Sequence, residues 1–260
     1  NLEIKEILRG GMGEVYLCLF EEKYPWALKT LQPRYFTSET TPQNFINELL
    51  IWTQLEDHVH IVSCLGVWSK ETLDERPFIW MDWITHPDYE NVSLKDRIRS
   101  KGLPLERALN FVIQICRGMV YANDKIPGIV HRDLKPSNIL IGEQHDIVKI
   151  TDFGIAKITS QDTQEQKSET PKIILPSVRG SFPYMAPEQW VGQDVDQRTD
   201  IYAVGCILYE LLTGFPPFRV KSKDEYKQHH ISAPLPQIPY KLIPDSYNRI
   251  LAKCLAKSKD

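Results

Sequence analysis

The string His131-Arg132-Asp133-Leu134-Lys135-Pro136-Ser137-Asn138, followed about a dozen residues later by Asp152-Phe153-Gly154, holds the densest set of reactive side-chain types in the chain. Between the two motifs, Ile139 to Ile141 and Ile147 to Ile150 read as short strands around a turn. An Asp and an Asn five residues apart, with a second Asp beyond a hairpin, can supply one carboxylate for an attacking hydroxyl and two oxygen ligands for Mg²⁺. A lysine two residues after the first Asp adds a positive charge at the same place. Phosphoryl transfer needs groups of this kind, because it depends on positioning and charge neutralisation more than on covalent chemistry.

Upstream, Gly10-Gly11-Met12-Gly13-Glu14-Val15 leaves one apolar run and enters another. Glycine at such a turn lets the backbone approach a phosphate closely, and an ordinary hairpin turn would look the same. Lys29, in Trp26-Ala27-Leu28-Lys29, is expected on a strand and Glu48 on the helix that follows. By themselves these two read as a solvated surface pair.

Two kinds of structure must hold these groups. Residues 1 to about 81 contain five strand-like runs: Leu2 to Leu8, Glu14 to Phe20, Trp26 to Leu31, Ile61 to Trp68 and Phe78 to Met81. Phe45, Leu49, Trp52 and Leu55 recur at helical spacing between the third and fourth runs, which predicts one helix packed on a small antiparallel sheet. Pro25 suggests an edge position or a late start for the third strand. After Trp83 the pattern turns helical, with a polar connector Thr85 to Val92 and a candidate N-cap at Ser93 ahead of Leu94 to Ile98. A long helix follows, for which Leu105, Leu109, Val112, Cys116 and Val120 predict the buried stripe, widened by Ala108, Ile113 and Met119. Ile201 to Leu212 is apolar nearly all round, as at the centre of a lobe. Ser160 to Lys172 is polar, aperiodic and reads as a functional loop. The class is α+β.

Taken together the motifs resemble those of eukaryotic-type (Hanks-type) protein kinases along the whole chain. The resemblance implies a bilobal fold: a sheet lobe with one main helix at 1–81, a hinge at 82–84, and a larger, mostly helical lobe at 85–260, truncated at its C-terminal end. It implies an ATP-dependent serine/threonine kinase that moves the γ-phosphoryl group to protein hydroxyls. Asp133 would accept the substrate hydroxyl proton, Lys135 would sit by the γ-phosphate, and Asn138 and Asp152 would hold Mg²⁺, or Mn²⁺ in its place. Lys29 would bind phosphate with Glu48 as its ion-pair partner. Gly10, Gly11, Met12 and Gly13 would form the phosphate flap, with Leu8 standing where a first glycine is usual. Ile7, Val15, Ala27, Leu140, Thr151 and Met81 would surround adenine, and Asp82 to Ile84 would form the hinge rim.

The same resemblance makes Gly180 to Glu188 a peptide-docking loop, with Ser181 near Asp133 and Lys135 and with protein as the substrate. Ser137 replaces an acid often used to read arginine upstream of the target. Arg132 before the aspartate implies control by activation-loop phosphorylation, with Ser177 the first candidate and Thr170, Ser168 and Thr163 behind it. Asp200 would anchor the catalytic-loop backbone, and the arginine that the family pairs with Glu188 would fall just beyond Asp260, leaving Glu188 without it unless the protein continues. The run Gly-Gly-Met-Gly-Glu-Val-Tyr-Leu resembles bacterial members, which often carry further domains. A pseudokinase scaffold and a small-molecule phosphotransferase are the competing readings.

Composition narrows the alternatives. The 260 residues are 42% hydrophobic with a net charge of -3, which suits a large core and gives no field to attract nucleic acid. Five scattered cysteines without C-x-x-C spacing argue against a disulfide framework or zinc site, and with the lack of a membrane-length apolar run suggest a cytoplasmic setting. His58 with His60 and His229 with His230 lack the i, i+4 spacing of a helical zinc site.

Overall fold

The computed structural model describes residues 2–9, 13–21, 23–32, 50–69, 76–88, 91–98, 100–142, 146–153, 180–239 and 243–258. Gly10, Gly11, Met12, Glu48, Gly154 and the activation-loop candidates Thr163, Ser168, Thr170 and Ser177 lie outside them.

Five strands, β1 (Leu2–Arg9), β2 (Gly13–Phe20), β3 (Tyr24–Leu31), β4 (Cys64–Ser69) and β5 (Pro77–Asp82), form an antiparallel sheet in the order β1-β2-β3-β5-β4. Period-two alternation sorts their side chains onto two faces. Cys18, Leu28 and Phe78 form a small cluster on one, while Ala27, Ile79 and Met81 join the main core on the other. Pro25 lies inside β3, opposite Leu19 of β2, but the pairing of β3 with β5 begins only at Trp26. The missing N–H therefore falls where the strand has a single neighbour.

The fourth strand begins at Cys64, later than its apolar run suggests. Ile61 makes a parallel bridge to Ile150, and Val62 N–H donates to the Ile150 carbonyl at 2.9 Å. These residues thus join the sheet lobe to the hairpin of β6 (Ile139–Gly142) and β7 (Ile147–Ile150). The Leu94 to Ile98 segment is a short 3-10 turn over Leu94–Arg97. Ser93 spends its hydroxyl on the Asp96 carboxylate, at 2.6 Å, and caps no backbone group.

Helix α1 (Leu105–Lys125) is rotated from the expected stripe: Ala108 and Val112 are buried as expected and Leu105, Leu109 and Met119 pack against the core, but the buried face is centred elsewhere. Ala108, Phe111, Val112, Ile115, Gly118 and Ala122 point inward, whereas Ile113 and Val120 are 48% and 60% exposed and Cys116 is exposed too. Apolar residues occupy three sides of this helix, so periodicity alone leaves its rotation open. Polar contacts fix it: Gln114 accepts the Val148 N–H at 2.9 Å and donates to the Asp146 carbonyl at 3.3 Å, and Arg107 pairs with Asp146. Gly118 completes the fit, because a Cβ there would stand 2.9 Å from both the His60 carbonyl oxygen and Ile150 Cδ1.

Three more helices matter to the site: α2 (Pro187–Val191), α3 (Gln197–Thr213) and α4 (Lys223–Ser232), with α5 (Asp245–Cys254) behind α3. Asp196 caps α3 through the Arg198 N–H, and Gly214 in the left-handed conformation ends it. Leu208, Leu211 and Leu212 are buried, as the all-round apolar pattern predicts, although Ile201 is half exposed.

Candidate active site

The backbone between His131 and Asn138 is held in an unusual shape, and the holding groups are visible. Arg132 has φ 68° and Asp152 φ 70°, a region that costs an L-residue roughly 1–2 kcal/mol. Asp200 on α3 accepts the N–H groups of His131 and Arg132 at 2.7 and 2.9 Å. Burial pushes the Asp200 carboxyl up, and the nearby His131 and Arg132 pull against that shift. His131 accepts the Asp133 N–H at Nδ1 (3.3 Å), so Nε2 carries the proton and donates to the Thr151 carbonyl at 2.9 Å. Its ring, fully buried, also packs on Phe153 at 4.9 Å between centroids. One imidazole thus ties the Asp133 segment to the Asp152 segment.

The side chains expected to do the chemistry converge on this frame. Asp133 Oδ2 accepts from Lys135 Nζ at 2.6 Å and from Asn138 Nδ2 at 3.2 Å, while its Oδ1 has no partner among the described residues. Lys135 Nζ also donates to Ser181 Oγ at 2.8 Å, which brings the Gly180 to Glu188 loop to the same point. Asn138 uses Nδ2 on the Asp133 carbonyl as well, at 2.9 Å, leaving Oδ1 free to accept or to ligate. Lys29 reaches from β3 to Asp152 Oδ1 at 2.5 Å. Burial pushes the Asp152 carboxyl up, but the charge and hydrogen bond of Lys29 outweigh it and leave the group below its ordinary value.

The apolar members of the predicted pocket divide. Val15, Ala27, Met81, Ile84 and Leu140 belong to one cluster, and Thr151 is buried next to Asp152. In the strand register Val15 stands opposite Lys29 and Ala27 opposite Met81, so all four share a sheet face. Asp82 closes β5, opposite Trp26, and donates its N–H to the Ser63 carbonyl at 3.1 Å. Ile7 is not brought to this group. It pairs with Tyr16, on the opposite face, and is 42% exposed, while Leu8 pairs with Val15. The bulge between Ile4 and Glu6 sets that register.

Glu188, whose family arginine would lie beyond this chain, accepts the Thr199 hydroxyl at 2.5 Å. Two contacts escaped sequence reasoning. Tyr184 donates to Glu210 at 2.5 Å, and Gln189 reaches the Arg132 carbonyl at 2.9 Å. Neither carries a spacing signal, since the partners meet only across the fold.

Oxygen donors are what a hard divalent cation takes, and Mg²⁺ uses one or two protein ligands beside water and substrate phosphate. Asn138 Oδ1 and Asp152 Oδ2, each without a partner among the described residues, fit that requirement.

A family model described as "Protein kinase domain" matches residues 2–259, and the chain belongs to that family. It is 34% identical over 96% of its length to serine/threonine-protein kinase A of Synechocystis sp., covering 48% of that relative. It is 33% identical over 95% of its length to a probable serine/threonine-protein kinase of Clostridium perfringens, covering 34% of it. With serine/threonine-protein kinase PknB of Mycolicibacterium smegmatis the identity is 31%, over 99% of this chain and 40% of the relative. The chain therefore spans about half, or less, of the length of the curated relatives it matches. The described helices include none long and apolar enough to cross a membrane.

Proposed function

We propose that this domain is an active protein serine/threonine kinase that transfers the γ-phosphoryl group of ATP to hydroxyls of a protein substrate. The observation that carries the reading is the Asp133 carboxylate, with one oxygen held by Lys135 and Asn138 and the other left open. An incoming hydroxyl donates to that open oxygen, and the carboxylate receives its proton as the new phosphorus–oxygen bond forms and the γ-phosphorus bond to the bridging oxygen breaks, with ADP as the leaving group. Lys135 stays beside the transferred group and offsets its charge, while Ser181 keeps the lysine from swinging away.

Mg²⁺ held by Asn138 and Asp152 would supply neutralisation of the phosphate oxygens; Mn²⁺ suits the same oxygen set. Lys29 serves the phosphates from β3, exchanging part of its contact with Asp152 for them; Glu48, the ion-pair partner that the resemblance implies, lies outside the described residues. Val15, Ala27, Met81, Leu140 and Thr151 line the adenine site, with Asp82 and Ile84 at the hinge; the flap role that the resemblance implies for Gly10, Gly11 and Met12 falls outside the described residues, and Gly13 opens β2 beside them. The retained Lys29, Asp133 and Asp152 favour this over a pseudokinase scaffold, and the Gly180 to Glu188 loop beside Lys135 favours a protein over a small-molecule acceptor. Phosphorylation in the 154–179 segment, Ser177 first, would switch the enzyme, and the setting would be cytoplasmic with additional domains outside the chain.

The test is phosphate incorporation from labelled ATP and Mg²⁺ into the protein and a generic substrate, with phosphosites mapped. Asp133→Asn, Lys29→Met and Asp152→Ala should each lose several powers of ten, about 4 kcal/mol or more of barrier. Wild-type rates in any of the three would overturn the assignment of that residue, and wild-type rates in all three would overturn the mechanism.

A further inference from the structure

Gln189 spans two loops with one amide. Its Oε1 accepts the Ala186 N–H at 2.9 Å, and its Nε2 donates to the Arg132 carbonyl at 2.9 Å. The first contact is ordinary capping: Gln189 is the third residue of α2 and returns to the N-cap backbone. The amide orientation follows from its partners, since an N–H must meet oxygen and a carbonyl must meet nitrogen.

The second contact falls on a critical peptide unit. The Arg132 carbonyl and the Asp133 N–H belong to the same plane, and that plane is gripped at both ends: the N–H by His131 Nδ1 and the carbonyl by Gln189. On its N-terminal side lies Arg132 at φ 68°, a conformation that local preference opposes and only outside contacts maintain. The direction of the Asp133 side chain depends on the plane that precedes it.

We propose that Gln189 is a positioning residue for Asp133: its amide nitrogen holds the Arg132–Asp133 peptide plane and couples the end of the docking loop, Ala186, to the catalytic aspartate. The inference rests on the reading of Asp133 as the group that receives the substrate hydroxyl.

Gln189→Glu separates the two contacts. It preserves shape and the acceptor for Ala186, but sets a carboxylate oxygen against the Arg132 carbonyl oxygen. A carboxylate at this position of a helix caps at least as well as an amide. If Gln189 only caps, Gln189→Glu retains wild-type kcat and melting temperature. If it positions Asp133, kcat falls about 10- to 100-fold while KM for ATP stays within about twofold. Gln189→Met, which keeps the bulk and loses both contacts, should show the same fall in kcat, and it decides the matter should the glutamate form not fold. Asp133→Asn is measured alongside. Full kcat in the Gln189 variants with an inactive Asp133→Asn overturns the positioning role alone. Full kcat in Asp133→Asn overturns the underlying assignment, and this inference with it.

Discussion

Asp200, in the first turn of α3, takes the main-chain N–H groups of His131 and Arg132 on its two carboxylate oxygens, at 2.7 and 2.9 Å. The carboxylate is buried and touches none of the reacting groups, so its work is to hold the loop that carries Asp133. Truncation leaves two donors without an acceptor. Asp200→Ala should cost about 2–6 kcal/mol of unfolding free energy, at roughly 1–3 for each stranded N–H. Asp200→Asn, which keeps one oxygen, should cost less. Urea denaturation of the two variants beside wild type gives the order; equal midpoints for all three would refute it.

His230 offers a pH signature. Its ring is fully buried on α4, its Nδ1 lies 2.8 Å from the Tyr202 hydroxyl, and Trp190, Phe218 and Tyr226 surround it. Burial, with Lys257 adding repulsion, pushes its pKa down from 6.5 to about 3. The unfolded chain takes up a proton below about 6.5 that the native state refuses, so stability falls with falling pH by up to about 1.4 kcal/mol per unit. From pH 6.5 to pH 5 the gap between wild type and His230→Phe should shift by about 2 kcal/mol against wild type. Parallel stability profiles of the two proteins across that interval would show that His230 is not the cause.

Ser181 is the contact through which the Gly180 to Glu188 loop meets Lys135. Losing its hydroxyl removes one hydrogen bond to a charged group, about 1.5–3 kcal/mol in such settings, so kcat of Ser181→Ala should drop roughly 10- to 100-fold. Ser181→Thr keeps the oxygen and should retain most of the rate. Steady-state kinetics on a protein substrate separates the pair, and an unimpaired alanine variant would remove Ser181 from the site.

Gly118→Ala sets two effects of opposite sign against each other. Helix propensity favours alanine by about 1 kcal/mol. The new Cβ, however, would lie 2.9 Å from a carbonyl oxygen that already accepts the Ile150 N–H, and from the buried Ile150 side chain. Overpacking of this kind costs about 1–3 kcal/mol, so a net loss of stability is expected, readable as a lower melting temperature. A higher melting temperature would mean that α1 moves freely off the hairpin.

The residues that meet in the candidate site are legible in the sequence because their spacing is encoded locally. Asp133, Lys135 and Asn138 lie on one short loop, and a hairpin of eight strand residues delivers Asp152 to it. The sheet was legible for the same reason, through alternation and turns. What misled was redundancy and long-range competition. Helix α1 has more apolar residues than it buries, so its rotation was set by Gln114, Arg107 and the space at Gly118. Ile61 looked like strand β4 but pairs with Ile150, because a β-branched residue suits either neighbour. The Thr199 hydroxyl on Glu188 carries no spacing signal either, because α3 brings it there.

By itself the amino-acid sequence determined which groups could do the chemistry, in what order along the chain, and the α+β class, because spacing within a loop, a strand or a helix is a local property. Only the tertiary structure decided that Lys29 meets Asp152 across 123 residues, that Asp200 and Gln189 grip the backbone around Asp133, and that Leu8 rather than Ile7 shares the face of Val15. Those outcomes depend on which distant surfaces can be packed together and which buried polar groups must then find a partner, and no short window of sequence contains both sides of such a contact.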